Sequence, residues 1–350
     1  MYLKDYIDVD KLADHCDKKL VMANYHPDKN IPLTLYCYGR KAVYKNVWND
    51  VTTKCRGLIV NNETGHIISR PFEKFFAVNT QGQSETSDRN IDTAITQYGP
   101  PLITEKINGN LGIFWQFGLH WGVASKGSLT SPHAKWAEHW LSQHLEKRGR
   151  IVWPVNFTPM FEMICQNIQP HCIKYPEDRL ILLSLINNDT GEEMGREELE
   201  AYAIRNGFAL PQVHPIGFYS ALELDRPGHE GYVATINRPG TTPIKLKIKH
   251  PSFLEARKKF YAELDLAKLN ATKDDTLYNQ IFEKVQGIVL EAFKTCTTRQ
   301  EFATFFLQPD NKMYASACFS MLDTNSIGKH KEIIEKLAAK IQEENGTQST

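Results

Sequence analysis

The sequence predicts an α+β fold of antiparallel sheets with flanking helices, followed by an all-helical region. Three observations carry this reading. Up to about residue 254, short apolar runs are punctuated by clusters of Asn, Asp, Gly and Pro that mark turns. Two segments within that stretch instead have helix caps and a 3.6-residue apolar period. Beyond it, strand signals vanish and the period is helical. Two domains follow, 1–254 and 255–350.

Taken in order, Cys55–Val60, the turn Asn-Asn-Glu-Thr-Gly and His66–Ser69 read as a hairpin. Leu111–Phe117 and His120–Ala124 flank Gly118 as a second. Ser131 is a capping residue with Pro132 in the first turn, and Ala137, Trp140, Leu141 and His144 then share one helix face. Trp136 and Trp140 read as core rather than as base-stacking platforms. Met160–Ile164 is a strand, and Arg179–Ile186 is another that ends in Asn-Asn-Asp-Thr-Gly. Arg196–Arg205 is a helix stopped by Asn206-Gly207. Gly231–Ile236 and Ile244–Ile248 flank a longer turn. Helices are predicted at Leu254–Leu269, Leu277–Lys294, Arg299–Leu307 and His330–Gln342, with a frayed polar tail from Glu343.

Composition narrows the function. The chain is 41% hydrophobic and 23% charged, as soluble globular proteins are. It has no apolar run of the roughly 18 residues that span a bilayer and no signal-peptide apolar region after Met1, so we expect a cytoplasmic protein without a membrane partner. Lys plus Arg equals Asp plus Glu at 41 each, which excludes a nonspecific basic coat. Any nucleic-acid contact must use a local basic site. Seven irregularly spaced cysteines argue against a disulfide framework. Cys165, His171 and Cys172 come nearest to a metal cluster but lack paired-ligand spacing, so buried thiols are expected.

The chemistry lies in Thr104-Glu105-Lys106-Ile107-Asn108-Gly109, where a lysine at a strand end precedes a glycine that permits close backbone approach. Alone this is an ordinary turn. It gains weight from its company: Ser125-Lys126-Gly127, Phe161-Glu162-Met163, His229-Glu230-Gly231-Tyr232-Val233 and Leu246-Lys247-Ile248-Lys249-His250-Pro251-Ser252-Phe253 downstream. Upstream lie Lys54-Cys55-Arg56-Gly57-Leu58-Ile59 and Arg70-Pro71-Phe72-Glu73-Lys74-Phe75-Phe76. A lysine attacks only when neutral, and its ordinary pKa is about 10.4. Crowding by Arg56, Lys74, Lys126, Lys247 and Lys249, with partial desolvation, is expected to lower it at Lys106. The same cations suit a triphosphate. A period of two puts Lys245, Lys247 and Lys249 on one strand face.

In this order the seven motifs resemble those of the covalent nucleotidyltransferases, and the two upstream elements resemble the phage RNA ligase 1 family, over about residues 36–254. The resemblance implies a nucleotidyltransferase (ATP-grasp-like ligase) domain that joins RNA 5′-phosphate and 3′-OH ends with ATP and Mg2+. Lys106 would carry AMP as a phosphoramidate. Arg56, Lys74, Asn108, Gly109, Lys126, Glu162, Lys247 and Lys249 would bind the nucleotide, Glu162 at its ribose. Glu230 would help hold the metal, and Phe75 or Phe76 would pack near the nucleotide. Phage members carry an all-helical C-terminal domain associated with tRNA, which makes tRNA a candidate substrate.

Asn108 departs from the family, which usually has aspartate there. An amide is nearly isosteric but has no charge and cannot act as a base. Fungal tRNA ligases resemble this variant. Three alternatives stand beside RNA joining: a DNA-joining or capping nucleotidyltransferase, although no OB barrel is legible after Lys249; an RNA 5′-adenylylating enzyme that joins weakly because of Asn108; and a non-catalytic RNA-binding module.

Overall fold

A computed structural model describes residues 1–149, 151–270, 276–322, 333, 334 and 337. Its contacts gather into two units, Met1–Glu255 and Ala256–Thr350.

The described residues of the first unit hold three four-stranded sheets. The first is an antiparallel meander of β1 (Val21–Tyr25), β2 (Leu33–Tyr38), β3 (Arg56–Asn61) and β4 (Ile67–Ser69). Further along lie β5 (Phe76–Ala77), β6 (Leu102–Glu105), β7 (Asn110–Phe117), β8 (His120–Ser125), β9 (Phe157–Ile164), β10 (Arg179–Asn187), β11 (Gly231–Ile236) and β12 (Ile244–Lys249). The second sheet has the order β10-β9-β7-β8 and is antiparallel; the third has the order β5-β12-β11-β6. All pairs are antiparallel except β5 with β12, so the predicted antiparallel sheets hold with one parallel pair at an edge.

Strand alternation builds the layers. On β7, Ile113 and Trp115 enter a core shared with Leu33, Leu35 and Ile59 of the first sheet, while Phe114 faces the opposite way. That other face packs under the helices Pro132–Arg148 and Arg196–Asn206 through Phe161, Leu180, Leu182, Leu141, Leu199 and Phe208. Because both faces of β10 are covered, its sequence is apolar almost throughout. Ser131 caps the first of these helices by accepting the Ala134 N–H, and Trp136 and Trp140 pack against this core, as expected. On β12, Leu246 and Ile248 join Ile103, Tyr232 and Ala234 in a third core beneath the helices Asp88–Tyr98 and Phe218–Glu223. Its lysines therefore point to the other face.

The second unit is helical in its described part. Thr276–Thr295 buries Ile281, Val285, Ile288 and Ala292 at helical spacing, against Phe302, Phe306 and Cys318. A capping box of Thr298 and Glu301 opens Arg299–Phe306. A further helix, Ala315–Leu322, stands where the sequence pattern predicts none. The predicted helix His330–Gln342 and the tail lie outside the described residues, save 333, 334 and 337. All seven cysteines are free thiols. Among the described residues, no helix is long and apolar enough to cross a membrane.

All six tryptophans fall in the first unit, so their fluorescence reports on it alone. Phe161→Ala empties a fully buried site in the second sheet. It should lower the stability of that unit by about 3–5 kcal/mol, read as an earlier urea midpoint of tryptophan emission; an unchanged midpoint would contradict this packing.

Candidate active site

The nucleophile candidate sits at a joint. β6 of the third sheet ends at Glu105 and β7 of the second begins at Asn110, so the turn 106–109 is the bridge between two sheets. The Lys106 N–H donates to the Gly231 carbonyl at 2.8 Å, which pins the turn to β11. At Gly109 a Cβ would lie 2.7 Å from the Met163 carbonyl oxygen and 2.9 Å from Glu162 Cγ, so only glycine lets the turn pass β9 this closely. At Gly231, φ is +136° and a Cβ would meet the Ile248 carbonyl oxygen. The residue after Glu230 must therefore be glycine for β11 to start against β12.

Glu230 is 4% exposed and gathers three partners. Its Oε1 lies 3.0 Å from Lys106 Nζ and 3.2 Å from Lys249 Nζ, and its Oε2 accepts Asn108 Nδ2–H at 2.9 Å. Burial alone would raise this carboxyl, but the Lys106 and Lys249 charges, with hydrogen bonds from Lys106 and Asn108, hold it below its ordinary value. Glu162 differs. Burial pushes it up to about 7; Lys106, Arg56 and the Gly109 N–H oppose the rise, and Glu230 adds to it.

Four more cations lie on aromatic faces. Lys74 Nζ is 4.1 Å from the Phe76 ring centroid and 4.9 Å from that of Trp48. Lys126 lies 4.6 Å from the Tyr38 ring, and Lys247 and Arg56 share Phe75 at 4.6 and 5.6 Å. Such contacts hold a cation without neutralising it. Among the described residues, none of these four has a carboxylate partner, and Arg56 keeps one buried guanidinium nitrogen unpaired. Desolvation followed by the charges of Arg56, Lys74, Lys106 and Lys249 lowers Lys247 to about 6. Desolvation, then Arg56, Lys126 and Lys249, lowers Lys74 to about 8.

The structure thus gathers Lys106, Asn108, Gly109, Glu162, Glu230, Lys247 and Lys249, and brings Arg56, Lys74 and Lys126 to the same basic group. Crowding depresses Lys247 and Lys74, and Lys106 faces a carboxylate because β11 delivers Glu230 beside it. Lys245 shares the strand face but pairs with Glu193 at 2.9 Å, away from the cluster. Glu105 turns to the opposite side, where it meets His229 Nδ1 at 3.0 Å. Sequence reasoning missed Tyr38, Trp48 and Tyr175, which carry no motif and acquire their places only through folding. Around Cys165, His171 and Cys172, and elsewhere among the described residues, no group of three or more His, Cys, Asp or Glu is arranged to hold a metal.

The RNA ligase family pattern matches residues 54–225. This segment, just under half of the chain, resembles the RNA ligase family. It includes Arg56, Lys74, Lys106, Asn108, Gly109, Lys126 and Glu162, while Glu230, Lys247 and Lys249 follow it. A "Putative RNA ligase" of Thermovibrio ammonificans is 28% identical over 217 residues, 59% of this chain and 53% of that protein, so the chain spans about half the length of that relative. Among solved structures, Naegleria gruberi RNA ligase with PPi overlaps at a TM-score of 0.41 and 17% identity, covering 65% of this chain and 73% of that one. A variant of the same protein with ATP and Mn overlaps at 0.39 and 16%, covering 53% and 60%.

Crowded lysines leave a pH signature in the basic cluster. Lys247 binds its proton with a pKa of about 6 when folded, against 10.5 ordinarily, so between these values the unfolded chain holds more protons and stability rises with pH. Lys247→Met removes this contribution. It should stabilise more at pH 6 than at pH 8, measured as the difference in urea midpoint from the parent; a difference independent of pH would refute the crowding.

Proposed function

We propose that this chain joins RNA ends with ATP, through AMP held on Lys106. The observation that carries the reading is a basic group without carboxylate partners among the described residues, in a chain of zero net charge, set beside a lysine on a buried carboxylate. Four cations on aromatic faces are an arrangement that calls for a polyanion. A nucleoside triphosphate supplies it, and the family of residues 54–225 directs the choice to RNA ligation.

Neutral Lys106 would attack the α-phosphorus of ATP, forming an N–P bond as pyrophosphate leaves. AMP would pass to an RNA 5′-phosphate, and the RNA 3′-OH would then displace AMP. Splitting one displacement into three lowers each barrier. Arg56, Lys74, Lys126, Lys247 and Lys249 would hold phosphate oxygens, and Glu162 and Gly109 would line the nucleotide. Glu230 would hold Mg2+: it already draws two ammonium groups, so its oxygens suit a cation, and with few protein carboxylates at hand phosphate oxygens must complete the shell. Bound there, the ion would supply charge neutralisation at phosphate.

Residues 1–254 would form the adenylyltransferase domain, and the helical region 255–350 would serve the RNA, with tRNA as the candidate. Seven free thiols suit a reducing cytoplasm.

Incubation with α-labelled ATP and magnesium, chased with 5′-phosphorylated RNA, tests the reading. The parent should take up label and pass it to RNA, and Lys106→Ala should take up none. A labelled Lys106→Ala protein would overturn the assignment. Nucleotide binding should also restore the proton that crowding removes from Lys247. Calorimetry at pH 7.5 in buffers of different ionisation enthalpy should show uptake of about one proton, lost in Lys247→Met. Proton-neutral binding would count against phosphate contact at this lysine.

A further inference from the structure

We propose that Tyr175 is a positioning residue for Lys106, acting through Asn108; this rests on the ligase reading above and adds a residue that lies in none of the sequence motifs. Tyr175 grips the turn that carries Lys106 at two points. Its hydroxyl accepts the Asn108 backbone N–H at 2.8 Å, and its ring packs with Ile107, Ile164 and Ile181. Two residues along the same segment, the Ile173 N–H donates to Asn108 Oδ1 at 3.4 Å.

Asn108 is therefore a hub. Its oxygen accepts from the 173–175 segment while its NH2 donates to Glu230, whose other oxygen holds Lys106. An amide can do both at once because it presents an acceptor and a donor on adjacent atoms. An aspartate here would place a carboxylate against the Glu230 carboxylate, and one of the two would have to keep a proton or move away. The departure from the family aspartate thus has a local cause: in this chain the link from segment to Glu230 requires a donor.

The segment that does the gripping is itself fixed. Gln166 brackets the Tyr175 backbone, donating from Nε2 to its carbonyl at 3.0 Å and accepting its N–H on Oε1 at 3.1 Å. Asp178 Oδ1 accepts from the Gln166 N–H at 3.0 Å and from its Nε2 at 3.2 Å. A run of contacts leads from Asp178 and Gln166 through Tyr175 and Asn108 to Glu230 and Lys106. Burial raises the Tyr175 hydroxyl, the Asn108 N–H opposes this, and Glu105, Glu162 and Glu230 add to it, so it stays a neutral phenol at working pH.

The test follows lysyl-AMP formation in single turnover. Tyr175→Phe keeps the ring and removes the acceptor. The rate constant at saturating ATP should fall about tenfold, as when a positioning contact is lost, with the KM for ATP within about twofold of the parent and an unchanged urea midpoint. Gln166→Ala loosens the segment from its far side and should give the same pattern more weakly. A parent that takes up no label sinks both readings. A parent that labels beside a Tyr175→Phe protein that labels as fast, or whose loss lies wholly in KM or follows the urea midpoint, sinks this one alone.

Discussion

The site is organised by one buried carboxylate. Glu230 enters the protein just before β11 and meets two ammonium groups and an amide there. A buried anion without partners is costly, and removing one partner from such a set typically costs about 3–5 kcal/mol. The fold therefore has to bring the end of β6, the end of β12 and the turn at Asn108 to this point together. The register does this: Gly231 pairs with Lys249, and Tyr232 with Glu105. The backbone bond from Lys106 N–H to the Gly231 carbonyl fastens the arrangement from the other side.

Around that anion the balance of charge is reversed. Net charge over the whole chain is zero, yet Arg56, Lys74, Lys126 and Lys247 stand together without carboxylates of their own among the described residues. Aromatic rings make this tolerable, since each ring face offers attraction without a compensating negative charge. Part of the remaining strain is relieved by proton loss, concentrated at Lys247.

Much of this was legible in the sequence where local rules dominate. The hairpins at β3–β4, β7–β8 and β11–β12 announce themselves through turn residues and alternation, and the helix after Ser131 through its cap and Pro132. The motifs located the cluster because their residue types are set by chemistry. What escaped depends on distance along the chain. β1 and β2 were passed over, although Tyr38 at the end of β2 provides the ring for Lys126. Trp48 is a lone aromatic in a loop until Tyr38 and Phe76 close around it at 5.1 and 5.7 Å. That Lys247 is the most depressed lysine could not be read from spacing, because it depends on burial and on where Arg56 and Lys74 arrive.

The short parallel pair of β5 with β12 has a bearing of its own. It aligns Ala77 with Lys247 and Leu246 with Phe76, so the segment that carries Lys74 is laced to the third sheet at its far end by main-chain groups, while the Lys74 N–H itself bonds to the Thr53 carbonyl. The separation of Lys74 from Lys247 is thus written into peptide geometry, which every side chain shares. Exchanging an outward side chain along either segment leaves those main-chain bonds in place, so the interval between these two positive centres does not hang on surface chemistry.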